Sequence, residues 1–136
     1  MPSIRQQINI AAPPRSVWAK LTTAEGLKEW LADEARATPE EGGHVVLTVE
    51  GDDGEPIDER GRFHTLRPTR KVEIAFERIG KGPWAGTRLT VALARDGNET
   101  RVAVVHSGFS DDDEDLLAEQ DAEWRRALKG LRACLE

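Results

Sequence analysis

The stretch from Ser110 to Glu136, SDDDEDLLAEQDAEWRRALKGLRACLE, decides the fold. Ser110 opens an acidic first turn, and an apolar stripe follows through Leu117, Trp124, Leu128, Leu131 and Leu135. That spacing predicts one amphipathic helix. At about 25 residues it would be about 37 Å long, enough to cross a small sheet and bury its stripe along the concave face. In this reading Ser110 is the N-cap and Asp113 holds the capping-box position. The acidic run Asp111 to Asp115 then complements the positive end of the helix macrodipole, with Arg125, Arg126, Lys129 and Arg132 following toward the other end. No bound cation is needed to explain it.

Ahead of this helix the chain alternates as strands do. Ile4, Gln6, Ile8 and Ile10 recur at period two and predict a first strand with one mainly apolar face. Pro13 and Pro14 end it and open a helix through Val17, Trp18 and Leu21, since the fixed φ of proline suits a first helical turn. Thr22 and Thr23 offer an N-cap for a second short helix, Ala24 to Trp30, anchored by Leu27 and Trp30. Strands are then expected at 31–37, 44–50, 57–66, 71–78, 87–95 and 99–106. Turns fall at Gly51 to Pro56, Arg67 to Arg70 and Asp96-Gly97-Asn98, and a glycine-rich loop spans Gly80 to Gly86. The order of elements predicts an α+β helix-grip fold: a curved antiparallel sheet of about seven strands wrapped on a long C-terminal helix, with two short helices after strand 1.

The 136 residues suit one self-sufficient domain, residues 1–136. A net charge of −6 opposes a nucleic-acid partner, which requires a basic field. The lone Cys134 excludes an internal disulfide and a Cys-x-x-Cys zinc site, which suits a reducing cytoplasm. No histidine lies near it in sequence to activate the thiol, so it is read as a packing or surface residue. No apolar stretch is long enough for membrane insertion. His44, His64 and His106 lie far apart, and neither a metal nor a cofactor is called for.

Several short motifs, in this order and spacing, resemble a known family. They are Ile8-Asn9-Ile10 with Ala12-Pro13-Pro14 and Val17-Trp18; Leu21-Thr22-Thr23 with Gly26-Leu27 and Trp30; Gly61 leading to Arg67-Pro68; and Gly86-Thr87. Thr100-Arg101-Val102 then leads to His106-Ser107-Gly108-Phe109, and Trp124, Ala127-Leu128, Leu131 and Leu135-Glu136 close the set. The chain resembles the START-like or Bet v 1-like (SRPBCC) superfamily, in the branch of homologues of the activator of the heat-shock-protein ATPase. That resemblance implies a cavity between sheet and long helix, often apolar and open at one end. Its members include lipid carriers, cyclase domains and chaperone cofactors, so a shared fold does not carry a shared function. The cofactors' chaperone activation depends on an additional N-terminal domain for which this length leaves no room.

Within that frame three classes of function stand side by side. The first is binding of a small hydrophobic or amphipathic molecule, with Trp30, Phe63, Phe76, Trp124 and Leu128 as candidate lining. The second is a cyclase- or hydrolase-type enzyme using Asp121, His64 or His106 as general base, each with a structural alternative: Asp121 at the solvent edge of the stripe, the histidines in ordinary hydrogen bonds. The third is protein interaction, including a homodimer formed through exposed strands or through Trp84, which is expected to be exposed between glycines, where it would guard a cavity mouth or join a partner surface. The loop carrying Trp84 leads into a strand and is no phosphate cradle.

Overall fold

The computed structural model describes residues 2–110 and 112–136. β1 (Ser3–Ile10) runs into α1 (Pro14–Thr22) and α2 (Ala24–Trp30), then β2 (Glu34–Ala37), β3 (His44–Glu50), β4 (Pro56–Arg67), β5 (Lys71–Phe76), β6 (Arg88–Asp96), β7 (Glu99–Ser107) and α3 (Glu114–Leu135). The strands form one seven-stranded sheet in the order β1-β7-β6-β5-β4-β3-β2, with every neighbouring pair antiparallel. From β2 onward it is a meander. β1 joins the far edge by pairing along β7, from Ser3 opposite Ser107 to Ile10 opposite Thr100. The sheet curves around α3, which gives the helix-grip fold expected from the pattern of elements.

Local chemistry accounts for most boundaries. Pro14 begins α1 where its missing N–H costs nothing. Thr23 ends that helix and caps the next, its hydroxyl accepting the Gly26 N–H at 3.0 Å. The β6–β7 hairpin turns at Gly97, whose φ of 63° an L side chain rarely adopts. In β1, Ile4 and Ile10 are buried, while Gln6 on the same face is half-buried and donates to Asp121 of α3 at 2.6 Å. A glutamine therefore stands in an apolar row because the helix presents it with a carboxylate.

Two boundaries depart by three residues from the sequence expectation, and β5, expected to run to Arg78, ends at Phe76. α3 starts at Glu114, and its N-cap is Asp113, whose carboxylate accepts the Leu116 N–H at 2.9 Å. Ser110 lies outside the helix and accepts from the Asp112 N–H; Asp111 lies outside the described residues. Leu31, expected to begin a strand, is instead the C-cap of α2, its N–H bonded to Leu27. β2 is a short edge strand starting three residues later.

The core lies between the inner face of the sheet and the stripe of α3. Trp124, Leu128 and Leu131 are buried against Ile10, Val17, Leu27 and the inward rows of β4 to β7. Leu117 and Leu135, at the ends of the stripe, are only half-buried. Burial of this kind, at about 25 cal/mol per Å² of apolar surface, is the dominant favourable contribution to folding.

Candidate functional site

A cleft of about 740 Å³ opens at one end of the molecule, between the β3–β4 turn, the loop before β6 and the first half of α3. Leu31, Leu47, Val49, Ile57, Trp84, Trp124 and Ala127 supply its apolar lining. Glu59 and Gln120 supply polar atoms inside it, and Glu50, Asp52, Lys81, Glu119, Glu123 and Arg126 form an exposed charged rim.

Trp84 shapes this cleft. Its expected exposure is a correction: the side chain is half-buried, because four elements hold it. Its ring stacks on Trp124 with centroids 5.5 Å apart and planes 8° from parallel, and it meets Phe76 and His106 edge to face at 5.4 Å and 4.8 Å. Its Nε1 donates to Gln120 Oε1 at 2.7 Å, and its backbone N–H donates to Glu59 Oε2 at 3.1 Å. The Thr87 hydroxyl donates to its carbonyl at 2.6 Å. Such contacts turn a glycine-rich loop into a fixed wall.

Behind this wall His106 is fully buried. It accepts the Trp124 indole N–H at Nδ1, 3.0 Å away, and lies 2.8 Å from Thr87 Oγ1 through Nε2. Burial lowers its pKa from 6.5 to about 3, so the ring is neutral at physiological pH. It does not border the cleft, and its hydrogen bonds are those of a structural histidine.

Glu59 is the feature that sequence reasoning missed. Only 4% exposed, it lies on the inner face of β4 in the same row as buried Gly61 and Phe63, and pairs across the sheet with buried Leu47. Burial pushes its carboxyl above the ordinary carboxylate range, and the Trp84 N–H only partly offsets this. Backbone approaches it closely: a Cβ added at Gly82 would collide with the carboxylate. The period-two row Ile57, Glu59, Gly61, Phe63 was the available signal.

The other candidates fall in different places. Trp124 borders the cleft. Phe63, Phe76 and Leu128 are buried in the filled core beneath it, packed too closely to face open space. Trp30 is half-buried, donates from Nε1 to the Lys20 carbonyl at 2.8 Å, and supports Trp124 with ring centroids 6.3 Å apart. Asp121 sits at the edge of the stripe, its carboxylate held by Gln6 and Arg125, and it takes no part in the cleft lining. His64 does not face the interior. It follows Arg60 and Arg62 on the outward row of β4, alternating with buried Gly61 and Phe63, and is exposed, with Nδ1 3.1 Å from Thr65 Oγ1. Among the described residues no three His, Cys, Asp or Glu side chains are grouped to hold a metal ion, and no helix is long and apolar enough to cross a membrane.

Several proteins of known structure share this architecture. The Aha1 dimer from Colwellia psychrerythraea is 26% identical, with a TM-score of 0.83 over 100% of this chain and 97% of its own. A protein from Chromobacterium violaceum is 20% identical, with a TM-score of 0.85 over 100% of this chain and 99% of its own. CalU16 from Micromonospora echinospora is 24% identical, with a TM-score of 0.73 over 95% of this chain and 73% of its own; these last two likenesses concern the fold. No curated protein sequence matches significantly. Residues 11–136 match the family model described as Activator of Hsp90 ATPase homolog 1-like protein, and the chain belongs to that family.

Proposed function

We propose that this protein binds a small hydrophobic or amphipathic molecule in the cleft between the sheet and α3. The observation that carries the reading is the cleft itself. Its volume of about 740 Å³ falls in the usual range for small-molecule sites. It combines an apolar floor at Leu31, Leu47 and Trp124 with a few polar atoms at Glu59 and Gln120, the usual division between affinity and orientation. Of the residues expected to line it, Trp124 touches the ligand, while Trp30, Phe63, Phe76, His106 and Leu128 hold the floor in place.

Native mass spectrometry of gently purified protein, followed by denaturing extraction, tests this reading. Trp84 and Trp124 both border the cleft, so a true ligand shifts tryptophan emission on titration. An empty protein whose emission stays constant across lipid and aromatic panels would sink the proposal.

One observation favours an additional property. The Colwellia relative is a dimer, and we propose that this chain also pairs with a second copy. Light scattering behind size exclusion decides it: a mass of twice 15.1 kDa is expected, and a single 15.1 kDa species at high concentration overturns it.

A further inference from the structure

We infer that the ligand of this cleft is an amine, with an apolar body against Leu31, Leu47 and Val49 and a protonated amino group seated on Glu59. The inference deepens the binding reading above and rests on it.

The carboxyl of Glu59 is more than nine-tenths buried, and among the described residues no lysine or arginine forms an ion pair with it. A carboxylate withdrawn from water without a cation is costly, and either a bound proton or a positive charge from elsewhere removes that cost, so a cationic ligand gains at this position what a neutral one does not. Oε2 accepts the Trp84 N–H, and no hydrogen bond among the described residues reaches Oε1. No fully enclosed side-chain oxygen or nitrogen among the described residues lacks a partner. Oε1 is therefore not fully enclosed, and Glu59 lines the cleft with an oxygen that has no hydrogen-bond partner among the described residues.

The rim points to the same charge. Glu50, Asp52, Glu119 and Glu123 face two cations, and one of these, Arg126, is already bound to Glu123 at 2.6 Å. Lys81 alone stands against the remaining carboxylates, so the mouth carries a negative field that draws in cations and repels anions. Trp84 and Trp124 border the same space with their faces stacked on each other at 5.5 Å, and they add apolar surface for the body of the amine. A carboxylate or phosphate ligand would meet repulsion at both rim and floor. A neutral ligand would leave Glu59 without a counter-charge.

Octylamine, octanol and octanoate share one chain and differ only in the head group, so titrating each against the full chain by tryptophan emission and calorimetry isolates the charge. Octylamine is expected to bind about tenfold or more tightly than octanol, the usual worth of a charge-assisted hydrogen bond, with octanoate weakest. Glu59→Gln, checked for folding by its thermal transition, brings octylamine down to the level of octanol. Octanol or octanoate binding as tightly as octylamine to the unmodified protein overturns the inference while leaving the binding reading intact, and so does a Glu59→Gln protein that keeps the amine preference. Failure of all three probes to bind overturns both. The ranking on unmodified protein decides the matter even where the variant folds poorly.

Discussion

The indole Nε1 of Trp124 donates to Nδ1 of His106 at 3.0 Å, and this one bond sets the direction of a chain of three. Indole is a donor only, so Nδ1 must accept and the imidazole proton resides on Nε2. Nε2–H then donates to Thr87 Oγ1 at 2.8 Å, leaving the Thr87 hydroxyl to donate to the Trp84 carbonyl at 2.6 Å. Helix α3, strand β7 and the loop that walls the cleft are thereby tied through buried groups.

Replacing His106 by leucine leaves the Trp124 N–H buried without an acceptor and breaks the link to Thr87. The expected loss of stability is about 2–4 kcal/mol, since an orphaned buried donor forfeits its full desolvation energy. Urea unfolding measures it, and a loss under about 1 kcal/mol contradicts this role.

The same histidine makes stability depend on pH. Its folded pKa is about 3, against 6.5 for the ordinary group, so between these values only the unfolded state takes the proton. Stability from this group is complete above pH 6.5 and is lost as pH falls, by about 1.4 kcal/mol per unit. Glu59 has the opposite sign: with its folded pKa raised above 4.5, the folded state holds the extra proton just above that value, and stability declines as pH rises through that window. The two windows overlap, so the His106 slope is best read in a Glu59→Gln background between pH 7.5 and 5. Adding His106→Leu to that background is expected to flatten the profile, and an unchanged slope rules out His106 as its source.

Glu59→Gln by itself is expected to stabilise the protein at pH 7.5 by about 1 kcal/mol, because the amide removes a buried charge and keeps an oxygen for the Trp84 N–H. Thermal melts compare the two proteins. A destabilised variant would show that the fold itself compensates the Glu59 charge.

Where α3 begins is open to a direct comparison. Asp113→Ala is expected to cost about 1 kcal/mol through loss of the cap on Leu116, and Ser110→Ala no more than a few tenths. Equal effects would restore Ser110 to the helix. Its misplacement in sequence has a simple cause: Ser110, Asp111, Asp112 and Asp113 all have good capping side chains, so local chemistry alone does not choose among them. Elements with strong periodicity, such as β1, the β6–β7 hairpin and the stripe of α3, were legible because burial imposes period two or 3.6 directly on residue type. The β4 bulge was not, since a one-residue slip leaves no mark on composition and yet sets Leu66, not Thr65, opposite buried Val72. Glu59 stood in an apolar row, but a charge at that period ordinarily signals solvent. Trp84 was visible as a feature of the loop, whereas its partner Gln120 lies 36 residues away and only the tertiary fold joins them.

That long-range pair supports the last prediction. Trp84→Phe retains a ring against Trp124 but loses the 2.7 Å bond to Gln120, and it is expected to cost about 1 kcal/mol. Gln120→Met is expected to cost a similar amount by orphaning the indole N–H. Because both remove one interaction, the double variant is expected to cost less than the two together, with a coupling of about 1 kcal/mol in a double-mutant cycle. Trp84→Ala goes further, deleting the stack on Trp124 and the edge contacts with Phe76 and His106, for about 3 kcal/mol. Amide exchange at residues 80–87 is expected to accelerate in Trp84→Ala and to stay near the parent rate in Trp84→Phe, because stacking fixes the loop more strongly than the Gln120 bond does. Strict additivity of the first two substitutions, or unchanged exchange in Trp84→Ala, would show that the cleft wall stands without this side chain.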